Sequence, residues 1–322
     1  MTPRTDLSRV RAPLAEAHGL PNAHYTDPGI FAEERVALIF SQWAGLGVAA
    51  DAPEPGDAKP LDFLRMTLLL LRDKAGMVRV FRNICRHRGM ILVDAPRRIE
   101  GAMANLIARW SAFDLPLYHG GHDSRFTLEV ATNRKPAVKN YCESYHLPWV
   151  HPGLNSHARL EDHYHIEPPG AFSGQGTMIY RQLTNETGDT FPDFVGVGAK
   201  WNERAEYVAA YPDVRLGVHR DHAFAIMLEP NGPERTVEHI HLYYPVPDAD
   251  ESLKMRNTQL WKTVFEEDIS VVEEMQRGRH AMGFDGGRFS PVMDSPTHGF
   301  HDWVAGRVAA HRVRAQAAGR EA

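Results

Sequence analysis

Cysteine is nearly missing from this sequence: its 322 residues contain two, Cys85 and Cys142. That is too few for a disulfide framework and suits a reducing compartment. Blocks of Lys or Arg are missing as well, and the formal net charge is -5. The chain therefore lacks the electrostatic footprint of a nucleic-acid or anionic-membrane binder. Long apolar runs are also absent. The most apolar stretch, Met66 to Leu71, falls far short of the roughly 20 residues a membrane-spanning helix needs. No apolar signal-peptide core follows Met1 to Asp6, and no internal repeat interrupts the chain. These exclusions leave small-molecule chemistry in a soluble, cytoplasmic protein of one large domain or two ordinary ones.

Asp27-Pro28 is a helix start signal ahead of Ile30, Phe31, Val36, Leu38 and Ile39. The Pro- and Gly-bearing stretch 52–57 reads as a loop. Leu68 to Leu71 and Met77 to Phe81, joined through Asp73 and Gly76, predict a hairpin. Further strands are expected over Gly176 to Leu183, Ala223 to Leu228 and Thr236 to Tyr244. In Leu260 to Gly278, the residues Leu260, Trp261, Val264, Phe265, Val271, Val272 and Met275 follow helical spacing, with Gly278 as a stop. The Ala/Arg-rich tail after Val304 continues as helix.

The richest segment runs from Asn140 to Pro152, where Glu143, His146 and His151 fall within nine residues. With 41 acidic residues and 18 histidines, this Glu/Asp-x2-His-x4-His spacing arises by chance roughly 0.13 times per chain. Glu143 and His146 are expected one turn apart on one helix face, with Pro148 ending the helix so that His151 swings back toward His146. Two histidines and one carboxylate with open positions suit non-haem ferrous iron. Asp268 offers a further carboxylate, because it falls inside the apolar stripe of the helix after Leu260 while Glu266, Glu267, Glu273 and Glu274 lie largely off it. A carboxylate buried there needs an ion pair, a hydrogen bond or a metal. The plain alternative is that His146 and His151 are ordinary core or surface histidines and that Asp268 pairs with Arg277 or Arg279.

The segment Asn140 to Pro152 resembles the iron motif of Rieske-type non-haem iron oxygenase alpha subunits, above all the group acting on choline, glycine betaine and carnitine. The resemblance extends to Tyr25-Thr26-Asp27-Pro28, Asn83 to Gly89, Glu267-Asp268 and Gln276 to Gly278. It implies an α+β fold: an antiparallel β Rieske-like domain plus a helix-grip (START/Bet v 1-like) catalytic domain with an antiparallel sheet and a long C-terminal helix. The expected division is an N-terminal segment, 1–40, packing on the catalytic domain, a Rieske-like domain over 41–130 and a mononuclear iron domain over 131–322. The resemblance makes His146, His151 and Asp268 the ligands of a mononuclear Fe(II). It makes Glu143 the carboxylate that bridges toward a neighbouring subunit's cluster.

Family members hold a 2Fe-2S cluster on a Cys-x-His and a later Cys-x-x-His pair. Cys85 and His87 match the first pair, but Ala104 to Ser111, where the second should lie, holds neither ligand type. Cys142 sits inside the iron motif, and His119 and His122 supply only nitrogen. The expectation is half a cluster site, with the 2Fe-2S cluster absent or atypical. Lys139 and Pro136 also stand where the family tends to have an acidic and an apolar residue.

The implied activity is oxygenation of a small, quaternary-ammonium type of substrate with O2. Electrons would come from a reductase and a cluster-bearing paralogous subunit of a trimer. Tyr145 and Trp149 are candidates for a cation cage. Two rivals stand beside this: a non-catalytic pseudoenzyme or assembly subunit, and a helix-grip module for apolar ligands that binds no iron.

Overall fold

The computed structural model describes residues 5–64, 66–82, 100–156, 158–167 and 169–318. Cys85 and His87 lie outside the described residues. The chain enters through α1 (Ala23–Thr26) and α2 (Pro28–Glu34). The Asp27 carboxylate caps α2 by accepting from the backbone N–H groups of Gly29 and Ile30, and Pro28 occupies the first turn, where its missing donor costs nothing.

Three antiparallel strands follow in sequence order: β1 (Ala58–Phe63), β2 (Met66–Arg72) and β3 (Val78–Arg82). The expected hairpin is β2–β3. The Asp73 N–H donates to the Met77 carbonyl, and Gly76 takes a positive φ of 81° that a side chain would resist. Next comes α3 (Glu100–Arg109).

The larger sheet is antiparallel and contains β4 (Tyr118–His119), β5 (Arg125–Val130), β6 (His163–Ile166), β7 (Phe172–Thr177), β8 (Ala205–Ala210), β9 (Val214–Val218), β10 (Ala223–Pro230) and β11 (Thr236–Tyr244). Strands β6 to β11 pair in chain order, while β4 and β5 both pair with the outer edge of β11. Three helices, α4 (Arg134–Cys142), α5 (Leu147–Val150) and α6 (Pro152–Asn155), lie between β5 and β6. Two long ones, α7 (Glu251–Gly278) and α8 (Ser295–Ala318), follow the sheet. Among the described residues, no helix is long and apolar enough to cross a membrane.

This is the expected α+β architecture, with α7 packed against α4 and β5. Phe224 of β10 lies 4.6 Å from Trp261 and 5.4 Å from Phe265, centroid to centroid, so the apolar stripe of α7 is seated on the sheet. Two boundaries differ from expectation. Helix α7 begins at Glu251, because Asp250 caps it by accepting from the Leu253 N–H at 2.9 Å. Strand β7 ends at Thr177, and 179–183 lies outside the sheet and lines a cavity.

A buried charge network ties the entry segment to α4. Glu34 accepts from Lys135 Nζ at 2.6 Å and lies 2.8 Å from His24 Nδ1, all three being buried. Burial alone would raise the Glu34 pKa. The charges of Lys135, His24 and Arg134 and the His24 hydrogen bond instead bring it down to about 2.

Candidate metal centre

The iron-motif segment is not one helix. Helix α4 ends at Cys142, and Glu143 is extended at φ -128°, ψ 159°. Pro148 sits in the first turn of α5 instead of ending α4, since the first turn of a helix is the place that tolerates a residue without an N–H. The turn from Glu143 to His146 still brings their side chains together, with Glu143 Oε1 2.9 Å from His146 Nδ1. His151 follows α5, and it meets α7 from the side.

His146, His151 and Asp268 converge. One ligand atom from each lies within 4.8 Å of the other two, and this is the metal-ready group found among the described residues. Asp268 Oδ1 is 3.0 Å from His151 Nε2 and 3.7 Å from His146 Nε2, and it accepts from Asn140 Nδ2 at 2.7 Å. On the far side of each ring stands a carboxylate: Glu143 on His146 Nδ1, and Glu267 on His151 Nδ1 at 2.7 Å. Each Nδ1–H can donate outward, which leaves both Nε2 lone pairs aimed at Asp268. Two imidazole nitrogens and a carboxylate oxygen with fixed tautomers are a donor set that fits ferrous iron.

Burial would raise the Asp268 pKa, but the His151 hydrogen bond, the charges of both histidines and the Asn140 amide hold it below the usual carboxylate range. Burial would likewise lower that of His151, yet Asp268 and Glu267 together raise it. The alternative pairing of Asp268 with Arg277 or Arg279 does not occur. Arg277 pairs with Glu274, and the Arg279 guanidinium lies 4.1 Å above the Tyr25 ring.

The triad opens into a cavity of about 540 Å³ whose lining includes Tyr180, Tyr207, His222, Trp261 and Phe265. Sequence reading did not find this wall. Only Trp261 and Phe265 carried a signal, standing seven and three positions before Asp268 on the same helix stripe. Tyr145 and Trp149, by contrast, are not in the cavity: they are 54% and 69% exposed and pack on one another 5.2 Å apart. The cation-cage assignment for these two is thus corrected, because their side chains lie at the surface outside the cavity lining.

Cys142 is buried, and burial pushes its thiol up to about 12. It is a core residue rather than a thiolate ligand. His119 lies 3.0 Å from His241, and exposed His122 faces Asp123.

The stretch 119–310 matches the family model for the ring hydroxylating alpha subunit (catalytic domain), and 42–106 matches the Rieske [2Fe-2S] domain. Choline monooxygenase of Spinacia oleracea is 23% identical, with 91% of this chain and 79% of that protein covered. The carnitine monooxygenase oxygenase subunit of Acinetobacter baumannii is 20% identical, with 83% and 86% covered. The crystal structure of a quaternary ammonium Rieske monooxygenase in complex with L-carnitine superposes with a TM-score of 0.72 at 19% identity, covering 95% of this chain and 99% of that one. The family implies a mononuclear iron and a 2Fe-2S cluster. The triad fits the iron. Four ligands are needed for the cluster, and the matched stretch 42–106 contains one cysteine, Cys85, and one histidine, His87. With His146, His151 and Asp268 gathered into a group able to hold a metal and both family models along its length, the chain belongs to the ring-hydroxylating alpha-subunit family of Rieske non-haem iron oxygenases, which are oxidoreductases.

Proposed function

We propose that this chain is the iron-bearing subunit of an oxygenase complex that acts on a small cation of the quaternary-ammonium type. The observation that carries the proposal is the convergence of His146, His151 and Asp268 at the head of the cavity. His146, His151 and Asp268 would hold iron(II), which would supply dioxygen activation for hydroxylation or N-demethylation of the substrate. Glu143 and Glu267 orient the two imidazoles, Asn140 fixes the Asp268 carboxylate, and the aromatic wall excludes water around the bound substrate.

With Cys85 and His87 as half a ligand set, the chain carries no ordinary 2Fe-2S cluster of its own. Electrons reach it from a reductase through a cluster-bearing paralogue in a trimer, in the cytoplasm. Glu143 is the carboxylate facing that paralogue, next to exposed Tyr145 and Trp149. Residues 1–40 form the entry segment and 41–130 the Rieske-like domain, apart from β4 and β5, whose pairing with β11 links them to the catalytic domain of 131–322. A second reading, a pseudoenzyme or assembly subunit, is favoured by the incomplete cluster ligands.

The test is anaerobic purification with iron and acid-labile sulfide measured per protomer, beside the visible absorption spectrum. Stoichiometric iron without sulfide is expected. Sulfide with the iron would overturn the cluster-free part. No iron after reconstitution of folded protein would leave the assembly-subunit reading.

A further inference from the structure

The tip between β9 and β10 is His219-Arg220-Asp221-His222, and it places a carboxylate behind the cavity wall. Asp221 is fully buried. It accepts from the Tyr180 hydroxyl at 2.8 Å, and its Oδ1 lies 2.8 Å from His222 Nδ1. The Trp261 indole N–H, which can only donate, points at His222 Nε2 from 2.9 Å. The single proton of His222 therefore sits on Nδ1 and is directed to Asp221, which makes Asp221 an acceptor throughout and an anion. No Lys or Arg among the described residues lies within ion-pair distance of it. Its neighbour Arg220 feels its field but is engaged by both oxygens of Asp193.

A buried carboxylate with only neutral donors is costly unless a positive charge comes near. The rings hydrogen-bonded to Asp221, Tyr180 and His222, both line the cavity, as does Trp261. Hydrogen bonding to an anion makes these rings richer in electrons, which strengthens the attraction of their faces for a cation. We infer that Asp221, acting through Tyr180 and His222, is the positioning residue that selects a cationic substrate at the Trp261 end of the cavity. This rests on the oxygenase reading above and adds the residue that tells a cation from a neutral molecule of the same shape. Trp261 stands two helical turns, about 10 Å of backbone rise, before Asp268, and both side chains line the same cavity.

The iron-loaded protein, kept free of oxygen, is titrated calorimetrically with choline and with its neutral carbon analogue, in which a tert-butyl group replaces the trimethylammonium. The native chain is expected to prefer choline by about tenfold or more. Asp221→Asn should remove most of that preference by weakening choline alone, Asp221→Glu should restore part of it, and Tyr180→Phe should give an intermediate loss. Should Asp221→Asn fail to fold, Tyr180→Phe decides. An unchanged preference in the folded variants overturns the inference while leaving the cationic substrate intact. Native protein that binds the analogue as tightly as choline overturns both this selection and the cationic substrate class, while retained iron would still uphold the metal centre.

Discussion

The two regions that match family models, 42–106 and 119–310, carry very different amounts of chemistry. In the second, His146, His151 and Asp268, from two segments more than a hundred positions apart, come together as a group able to hold a metal, and a carboxylate stands behind each imidazole. In the first, the hairpins β1–β2–β3 are formed, but the ligand residues number one cysteine and one histidine. Helix α3 runs past its end, where Arg109 grips Glu206 of β8 through two bonds of 2.8 and 2.7 Å, with Trp110 and Tyr164 donating to the same carboxylate. Strand pairing depends on backbone geometry and apolar alternation, whereas a metal site depends on a few side chains. The two regions therefore answer to different parts of the sequence.

The sharpest way to break this contrast is to delete a ligand on each side. Asp268→Ala should abolish stoichiometric iron, because it removes the carboxylate on which both Nε2 atoms converge. Cys85→Ser and His87→Ala should leave the iron content unchanged. Metal analysis of the three purified variants checks this, and iron loss in the Cys85 or His87 variants would mean that the first region also holds metal.

The iron half was the more legible of the two in sequence. Asp268 showed itself because a carboxylate on an apolar helical stripe demands a partner, and β10 and β11 announced themselves through branched and aromatic residues. Strands β8 and β9 did not: Ala205–Ala210 and Val214–Val218 are short and contain Glu206 and Arg215, which read as solvent-facing. Both are buried because Arg109 and Glu238 neutralise them. The break at Glu143 was hidden because spacing alone cannot tell a continuous helix from a turn that closes the same distance. The Tyr180, His222 and Trp261 wall is assembled from three segments, and no local pattern encodes it.

A second prediction concerns the brace beneath the iron helix. The Glu34 pKa is about 2 in the folded chain against 4.5 ordinarily. The stability it contributes is complete above the unfolded value and is lost as pH falls from there toward the folded value. The amount is on the order of 3 kcal/mol. Glu34→Gln leaves Lys135 buried without its anion and should cost about 3–5 kcal/mol at neutral pH. Urea denaturation across that acid range should then show a flatter pH dependence than the native chain. An unchanged slope would mean that the brace is not what secures α4, and the iron half would lose one of its distinctions from the cluster half.

The smallest effect tests whether the carboxylates behind the histidines matter as much as the ligands they face. Glu267 touches no metal position; it receives the Nδ1–H of His151 at 2.7 Å and leaves Nε2 free to bind. Without it the ring can take the other tautomer or rotate, so Glu267→Ala should weaken iron(II) binding about 10- to 100-fold while the fold persists. Glu267→Gln keeps an acceptor and loses the charge, and should fall between the two. Competition titration against a chelator measures all three. Equal losses for Ala and Gln would assign the effect to the negative charge. No loss in either would mean that packing against the His146 ring, 5.3 Å away and edge-on, is enough to aim His151.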